Sequence, residues 1–355
     1  MVQITREKLT ELYTSGEIIT GIDLSGTDLS GIVLPGAHFE HVSFKSSNLV
    51  SADFSQASFT DTDLSGANLS GANCSGAFFI RTTMTGVNLE KALLADASIE
   101  DTDMGAVNMT DADAGRLLAR SLNLRNASLI RTKLPESDFD SVDIHGADLS
   151  GADLSRARFS RSHLEGSVYA STCFYKSFLA ELSLRGIRFD RCNFTMTHFN
   201  KSDLTEAEFK GCFLEQAGFE ESELSGAKLT TINAYAARFR KAHMKGALLS
   251  GTMLESSDFS EADVSQADFS GANLSRSRFN RAMCRASRFT GADMTYADFS
   301  HADLTAADFT NCMLTRTNLH RIKDEGVIWN GSNKSEALNT DPKLARAEDW
   351  KSEGA

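Results

Sequence analysis

Ser65-Gly66-Ala67-Asn68-Leu69-Ser70-Gly71-Ala72-Asn73 runs almost twice through one five-residue phrase: a small residue, Asp or Asn, a large apolar residue, Ser, Gly. Followed outward in both directions, the phrase keeps its phase. The large apolar place falls at every number ending in 4 or 9. From Leu24 to Leu319 there are 60 such places, and all but Ala114, Ala119 and Ala234 hold Leu, Phe, Met, Ile, Val, Tyr or Cys. Numbers ending in 2 or 7 are mostly Ala, Ser, Thr, Val or Cys, and those ending in 3 or 8 favour Asp and Asn. A period of five fits neither a helix at 3.6 residues nor a strand at 2. It fits a short extended piece followed by a corner, with one large and one small side chain turned inward per unit. No unit can bury its own face, so units must stack.

A second period of twenty lies over the first. Of the 15 central places in the column 39, 59, 79 and onward, 11 are Phe; the column 24, 44, 64 and onward holds only Phe44. Glycine follows the same columns. It takes 8 of 15 places in the series 26, 46, 66 and 7 of 15 in the series 31, 51, 71, two in the series 36, 56, 76, and none in the series 41, 61, 81. Four units per coil place residues twenty apart above one another. At least two of the four corners then use a turn with φ > 0, which glycine adopts cheaply. The glycine-free corner alternates in charge (Arg161, Glu181, Lys201, Glu221, Lys241, Glu261, Arg281) before ending in His301 and Arg321. Stacked at the strand spacing of ~4.8 Å, opposite charges become neighbours.

These features resemble the pentapeptide-repeat family. The resemblance covers residues 21 to about 323. It implies an all-β fold, a right-handed quadrilateral parallel β-helix (β-solenoid) of about 15 coils and ~70 Å length at ~4.8 Å per coil. Short caps are expected at both ends, because stacked strands leave open edges. Residues 1–20 form the N-terminal cap, in which Thr5 to Tyr13 reads as a short amphipathic helix with Gly16 as its stop. Residues 21–323 are the repeat. Residues 324–355 are a C-terminal cap or a flexible tail, with Asp341-Pro342-Lys343-Leu344 as a helix start and Leu344 and Trp350 as packing residues. One segment, 113–122, departs from the rule. Ala114 and Ala119 shrink while the small places become Leu117 and Leu122. Either the volumes are exchanged in place or the coil is locally kinked. Ala234 beside Ile232 repeats the exchange, and the oversized Leu182 and Ile187 have no evident compensation.

Catalytic chemistry finds no purchase. The eight histidines stand at no metal-site spacing. The repeated Asp residues occupy one place in the unit, where a structural role beside the turn explains them. No Gly-rich loop leads from a strand into a helix, so no nucleotide site is indicated. The expectation is a protein that is not an enzyme and needs no cofactor or metal. Six cysteines without framework spacing read as reduced thiols, although Cys192 and Cys212, one coil apart, also suit a disulfide. The absence of an apolar leader and of any membrane-length apolar run points to the cytoplasm. The net charge of −12 argues against general affinity for nucleic acid or anionic membrane.

Charge is unevenly spread. Residues 21–155 carry 19 acidic and 8 basic groups, net −11, whereas residues 156–323 carry 19 acidic and 22 basic groups, net +3. Arg276, Arg278, Arg281, Arg285 and Arg288 form a basic cluster in the sequence and are the candidate partner-binding residues. The leading expectation is a bacterial protein–protein interaction scaffold or adaptor. The N-terminal helix and the run Asp23-Leu24-Ser25-Gly26 resemble repeat proteins of type VI secretion loci, where such proteins are thought to assist effector loading or delivery. Other members mimic B-form DNA, occupy the saddle of DNA gyrase and dimerise through their C-terminal coils. That makes a gyrase inhibitor or protector, and a homodimer through the C-terminal end, further implied readings. A translocated effector acting in a host cell is a third, which the N-terminal 20 residues do not favour.

Overall fold

A computed structural model describes residues 2–350. The chain divides into two compact units, Met1–Ser183 and Leu184–Ala355, and each is a four-sided parallel β-solenoid. We number the walls by their central residues: wall I carries Leu24, Phe44 and Leu64; wall II Leu29, Leu49 and Leu69; wall III Leu34, Phe54 and Cys74; wall IV Phe39, Phe59 and Phe79. The register is twenty residues throughout the described pairings, as in Asp23↔Ser43, Asp28↔Asn48 and Val33↔Asp53.

In the first unit, strand β1 (Val2–Gln3) pairs with β3 (Ile22–Asp23). Between them α1 (Arg6–Thr14) is N-capped by Thr5, whose side chain accepts the Lys8 N–H. Its fully buried Leu9 faces the first tier. Arg6 donates to Ser30 O at 2.7 Å and Tyr13 OH to Pro35 O at 3.0 Å. Wall IV then runs as stacked strands in one sheet: β2 (Ile19–Thr20), β4 (His38–Glu40), β5 (Ser58–Thr60), β6 (Phe78–Ile80), β7 (Ser98–Glu100), β8 (Leu118–Arg120), β9 (Asp138–Asp140) and β10 (Arg158–Ser160). On wall II, β11 (Tyr169–Ala170) lies in the first unit, and β12 (Arg188–Asp190) pairs with β13 (Glu208–Lys210) in the second. Elsewhere the walls are held by single parallel bridges.

The interior is built from the large residues. Phe59 and Phe79 stack at 4.9 Å and 4°, and Phe139 and Phe159 at 4.6 Å. In the second unit Phe199, Phe219, Phe239, Phe259, Phe279 and Phe299 form one wall IV stack at 4.6–5.0 Å. A second stack on the opposite wall II, Phe269, Phe289 and Phe309, meets it edge to face, as between Phe279 and Phe289 (5.9 Å, 86°). The segment 113–122 keeps its register, with Ile99↔Ala119↔Phe139 in line. Ala114, Leu117, Ala119 and Leu122 are all buried. The departure is therefore a volume exchange within an unbroken coil, and Ala234 with Ile232 repeats it.

All four corner columns adopt φ > 0, between +49° and +74°, not only the two that glycine marks. Most corners close as turns with an i→i+3 bond, such as Thr27 N–H to Leu24 O (3.1 Å). Among the described residues of the first unit, no such bond closes the corners after the wall IV strands β4 to β10. After Phe59, Phe79 and Phe139 the tier above supplies a hydroxyl instead. Thr82 Oγ1 donates to Phe59 O (3.1 Å), and Thr82 N–H donates to Thr102 Oγ1 (3.4 Å). Ser162 does the same for Val142 N–H (3.0 Å). The hydroxyls at the small places Thr82 and Thr102 thus serve the unclosed corners of the tier below. A Thr102→Val substitution keeps the shape and removes the acceptor from a buried N–H. It is expected to cost about 1–3 kcal/mol in a denaturant melt, whereas a cost within ~0.3 kcal/mol would refute the account.

The coil path continues beyond the expected boundary at Lys323, since Asp308↔Ile328 and Asn318↔Leu338 are still in register. It ends in α2 (Pro342–Asp349), N-capped by Asp341, whose carboxylate accepts the Lys343 and Leu344 N–H groups. Leu344 and Trp350 do not pack as the sequence suggested: they are 49% and 74% exposed. Polar contacts hold the helix instead.

Candidate functional site

With the interior filled, each unit offers partners its outward places, those at numbers ending in 3 or 8. Asp and Asn there accept the N–H two residues on, as Asp63 does from Ser65 (2.8 Å) and Asp268 from Ser270 (2.9 Å). This is an Asx turn, and it accounts for the repeated Asp without catalysis. Neighbouring Asn side chains also link tiers on wall II of the first unit, where Asn88 donates to Asn68 Oδ1 (3.1 Å) and Asn108 to Asn88 Oδ1 (3.0 Å).

The acidity of the first unit is partly tied down by arginines one tier away: Arg81–Asp61 (2.8 Å), Arg116–Asp96 (2.6 Å) and Arg131–Asp111 (2.7 Å). Hydrogen bonds from these guanidiniums hold all three carboxyls below their ordinary range. In the second unit the alternating corner column closes to a direct ion pair at Lys241–Glu261 (3.9 Å). In the first, Arg161 turns instead to Asp140, at 2.8 Å from Nε.

The five arginines singled out by sequence do not gather. Arg278 stands on wall IV between Asp258 and Asp298, and Arg288 on wall II between Asp268 and Asp308; ten residues are half a coil, so the two face opposite ways. Arg276 sits at the corner before wall IV, 3.5 Å from Glu255, and Arg281 at the corner after it. Arg285, at the corner between walls I and II, binds Asp303 at 2.8 Å. Burial alone would raise the Asp303 carboxyl, but hydrogen bonds from Thr305 and Arg285 outweigh it and hold the pKa at about 2. Proximity along the sequence is thus divided among walls, and Arg276 and Arg285 each meet a carboxylate one tier away.

Two features were not legible in the charge pattern. On wall III of the second unit, the outward places hold Phe213, Met253 and Met313, each about half exposed, with Asn233, Asn273 and Asp293 between them. Exposed Tyr235 and Tyr296 flank the same column, and Arg316 lies 5.8 Å over the Tyr296 ring. The second feature is at α2. His301 and His320 lie on successive tiers, and both approach Glu348: His301 Nε2 to Oε1 at 3.3 Å and His320 Nε2 to Oε2 at 3.2 Å. Nδ1 of the buried His320 accepts the Asp341 N–H (3.2 Å), so its proton sits on Nε2 and is donated to Glu348. Arg321 Nε adds 3.1 Å to the same carboxylate. The hydrogen bond from His320 first, and the charge of His301, hold Glu348 below its ordinary range. Local spacing concealed this meeting; the coil period, with 301 and 320 nineteen apart, was its signal.

None of the six cysteines forms a disulfide. Burial pushes the Cys74 thiol up to about 12. Cys192 and Cys212 are unbridged, and the Cys212 thiol is directed at Phe189 O (3.6 Å). Among the described residues no helix is long and apolar enough to cross a membrane.

The family model of pentapeptide repeats matches residues 22–61, 47–86, 62–101, 73–111, 123–161, 257–295 and 284–321, and that of a pentapeptide repeat region matches 182–259. These matches span more than half of the sequence, and the chain belongs to the pentapeptide-repeat family. No curated protein matches it. Among solved structures it is similar to HetL, a pentapeptide repeat protein involved in heterocyst differentiation regulation from the cyanobacterium Nostoc sp. Strain PCC 7120. The identity is 27%, over 60% of this chain and 91% of that one, with a TM-score of 0.36. It is similar also to Rfr23 from the cyanobacterium Cyanothece 51142 (22% identity, 34% and 91% coverage, TM-score 0.30). The plasmid-mediated fluoroquinolone resistance protein QnrB1 follows at 23% identity, 65% and 92% coverage, and a TM-score of 0.24.

Proposed function

We propose that this chain is a non-enzymatic scaffold that docks a protein partner on wall III of its second unit. One observation carries the reading. At Phe213, Met253 and Met313 the outward place gives up the Asx hydrogen bond that Asp or Asn would make there and exposes apolar surface instead. Both changes cost the free protein something, and exposed apolar columns mark interaction sites. The flanking Tyr235 and Tyr296 are residue types suited to interface anchors. Of the five arginines, Arg276, at the corner adjoining this wall, is the one placed to rim such an interface.

The test is capture from a lysate of the native organism with the full chain as bait. A Tyr235→Glu, Met253→Glu double variant is expected to weaken binding of the captured protein by roughly thirtyfold. Its unfolding midpoint should barely move, because both side chains are exposed. Equal capture by the variant would remove wall III from consideration. If the captured protein is a secretion effector, the finer role in type VI loading or delivery follows.

A second reading, a DNA mimic acting on DNA gyrase, draws on the net −11 of residues 21–155. The arginine pairs across that unit weaken it, since mimicry needs a sustained negative field. Inhibition or protection of gyrase supercoiling at sub-micromolar protein would put this reading first.

A further inference from the structure

The geometry points to a zinc-class divalent metal site formed by His301 Nε2, His320 Nε2 and the Glu348 carboxylate, clipping α2 to the last tiers of the solenoid. One ligand atom from each of the three residues lies within 4.8 Å of the others. Bonds of about 2.0–2.1 Å in a tetrahedron put ligands roughly 3.4 Å apart, and the two imidazole–carboxylate distances are already 3.3 and 3.2 Å. The two rings meet nearly perpendicular, 77° apart, with centroids 5.4 Å apart, so closing the third edge needs side-chain rotation rather than a new path of the chain. Two imidazoles and one carboxylate suit zinc better than calcium or magnesium, which prefer oxygen throughout. The fourth position opens on a cleft of about 610 Å³ lined also by Ser300, Asn318 and Leu338, where water completes the shell.

Protons and charges set the terms of binding. In the metal-free chain the Nε2 proton of His320 is given to Glu348, and Nδ1 is held by the Asp341 N–H. A metal on Nε2 requires the other tautomer, so the ring's single proton moves from Nε2 to Nδ1, where it faces the Asp341 N–H. Binding therefore opens that backbone contact and shifts the segment before α2. It also weakens as pH falls, because protons compete for the imidazoles. Arg321 is the opposing charge nearby, and it is already engaged by Glu348 and Asp349. Asp341, Glu348 and Asp349 together outnumber it.

The full-length chain, stripped with chelator, should bind one equivalent of Zn2+ by calorimetry at neutral pH. Co2+ should give the visible spectrum of a four- or five-coordinate nitrogen–oxygen site without a thiolate charge-transfer band. Glu348→Gln and His301→Ala should each weaken Zn2+ by roughly 100-fold or more, beyond the loss expected for an outer-sphere partner. Both side chains are partly exposed, and unchanged circular dichroism in chelator checks that the variants fold. No saturable binding, a thiolate band, or parent-like affinity in either variant would overturn the site.

Discussion

Replacing Phe279 by alanine should be among the most damaging single changes in the second unit, costing about 3–5 kcal/mol. Its ring stacks on Phe259 at 4.6 Å and on Phe299 at 4.6 Å, and meets Phe269 and Phe289 edge-on at 5.8 and 5.9 Å. Truncation leaves a void that neighbours cannot fill, because their backbones are pinned by ladders above and below. A solenoid couples each repeat chiefly to its neighbours, so the loss should be local as well as large. Native-state hydrogen exchange should show lost protection across the tiers of Phe259, Phe279 and Phe299, and little change near β4 to β6. A cost below ~1 kcal/mol, or protection lost evenly throughout, would mean that the stack is not a main source of stability.

The legibility of this chain follows from which atoms face inward. A filled four-sided interior restricts the residues at 4 and 9 and at 2 and 7, so the Phe column could be predicted as a stack before its distances were known. The Asp of the outward place was legible for a related reason, since its carboxylate serves a fixed backbone N–H. Glycine was a partial guide. The left-handed region lies within reach of L-residues at modest cost, so Arg81 and Asp101 sit at φ +49° where no glycine marks the corner. The hydroxyl bonds of Thr82 and Thr102 were hidden because serine and threonine fit the same places that alanine and valine take elsewhere in the repeat. They fill the same space while meeting an unclosed turn.

Outward side chains answer to no such constraint, and there the reading along the sequence failed in an instructive way. Arg278 and Arg288 are ten residues apart and point in opposite directions, whereas His301 and His320 are nineteen apart and share a carboxylate. Distance on this surface is measured modulo twenty. A charge cluster in the sequence is dispersed by the coil, and scattered residues are gathered by it. The tail was misjudged because α2 lies beyond the repeat: its docking through Glu348 and Arg321 replaced the apolar contact that Leu344 and Trp350 suggested.

The exchange at 113–122 yields the second large effect, and a sharper test because its sign reverses on combination. Leu122→Ala alone should remove buried volume beside Ala119 and cost about 2–5 kcal/mol. Ala119→Leu alone should overfill the interior and cost about 1–3 kcal/mol. Together they restore the large-then-small order of the other tiers and conserve volume, so the double variant should fall within ~1.5 kcal/mol of the parent. The resulting double-mutant cycle should show strongly favourable coupling. The unbroken pairing of β7, β8 and β9 through Ile99, Ala119 and Phe139 is the reason to expect it, since the backbone at this tier already matches its neighbours and only side-chain volume has moved. Additive losses would show that Ala119 and Leu122 do not share one space, and that the tier holds its register for some other reason.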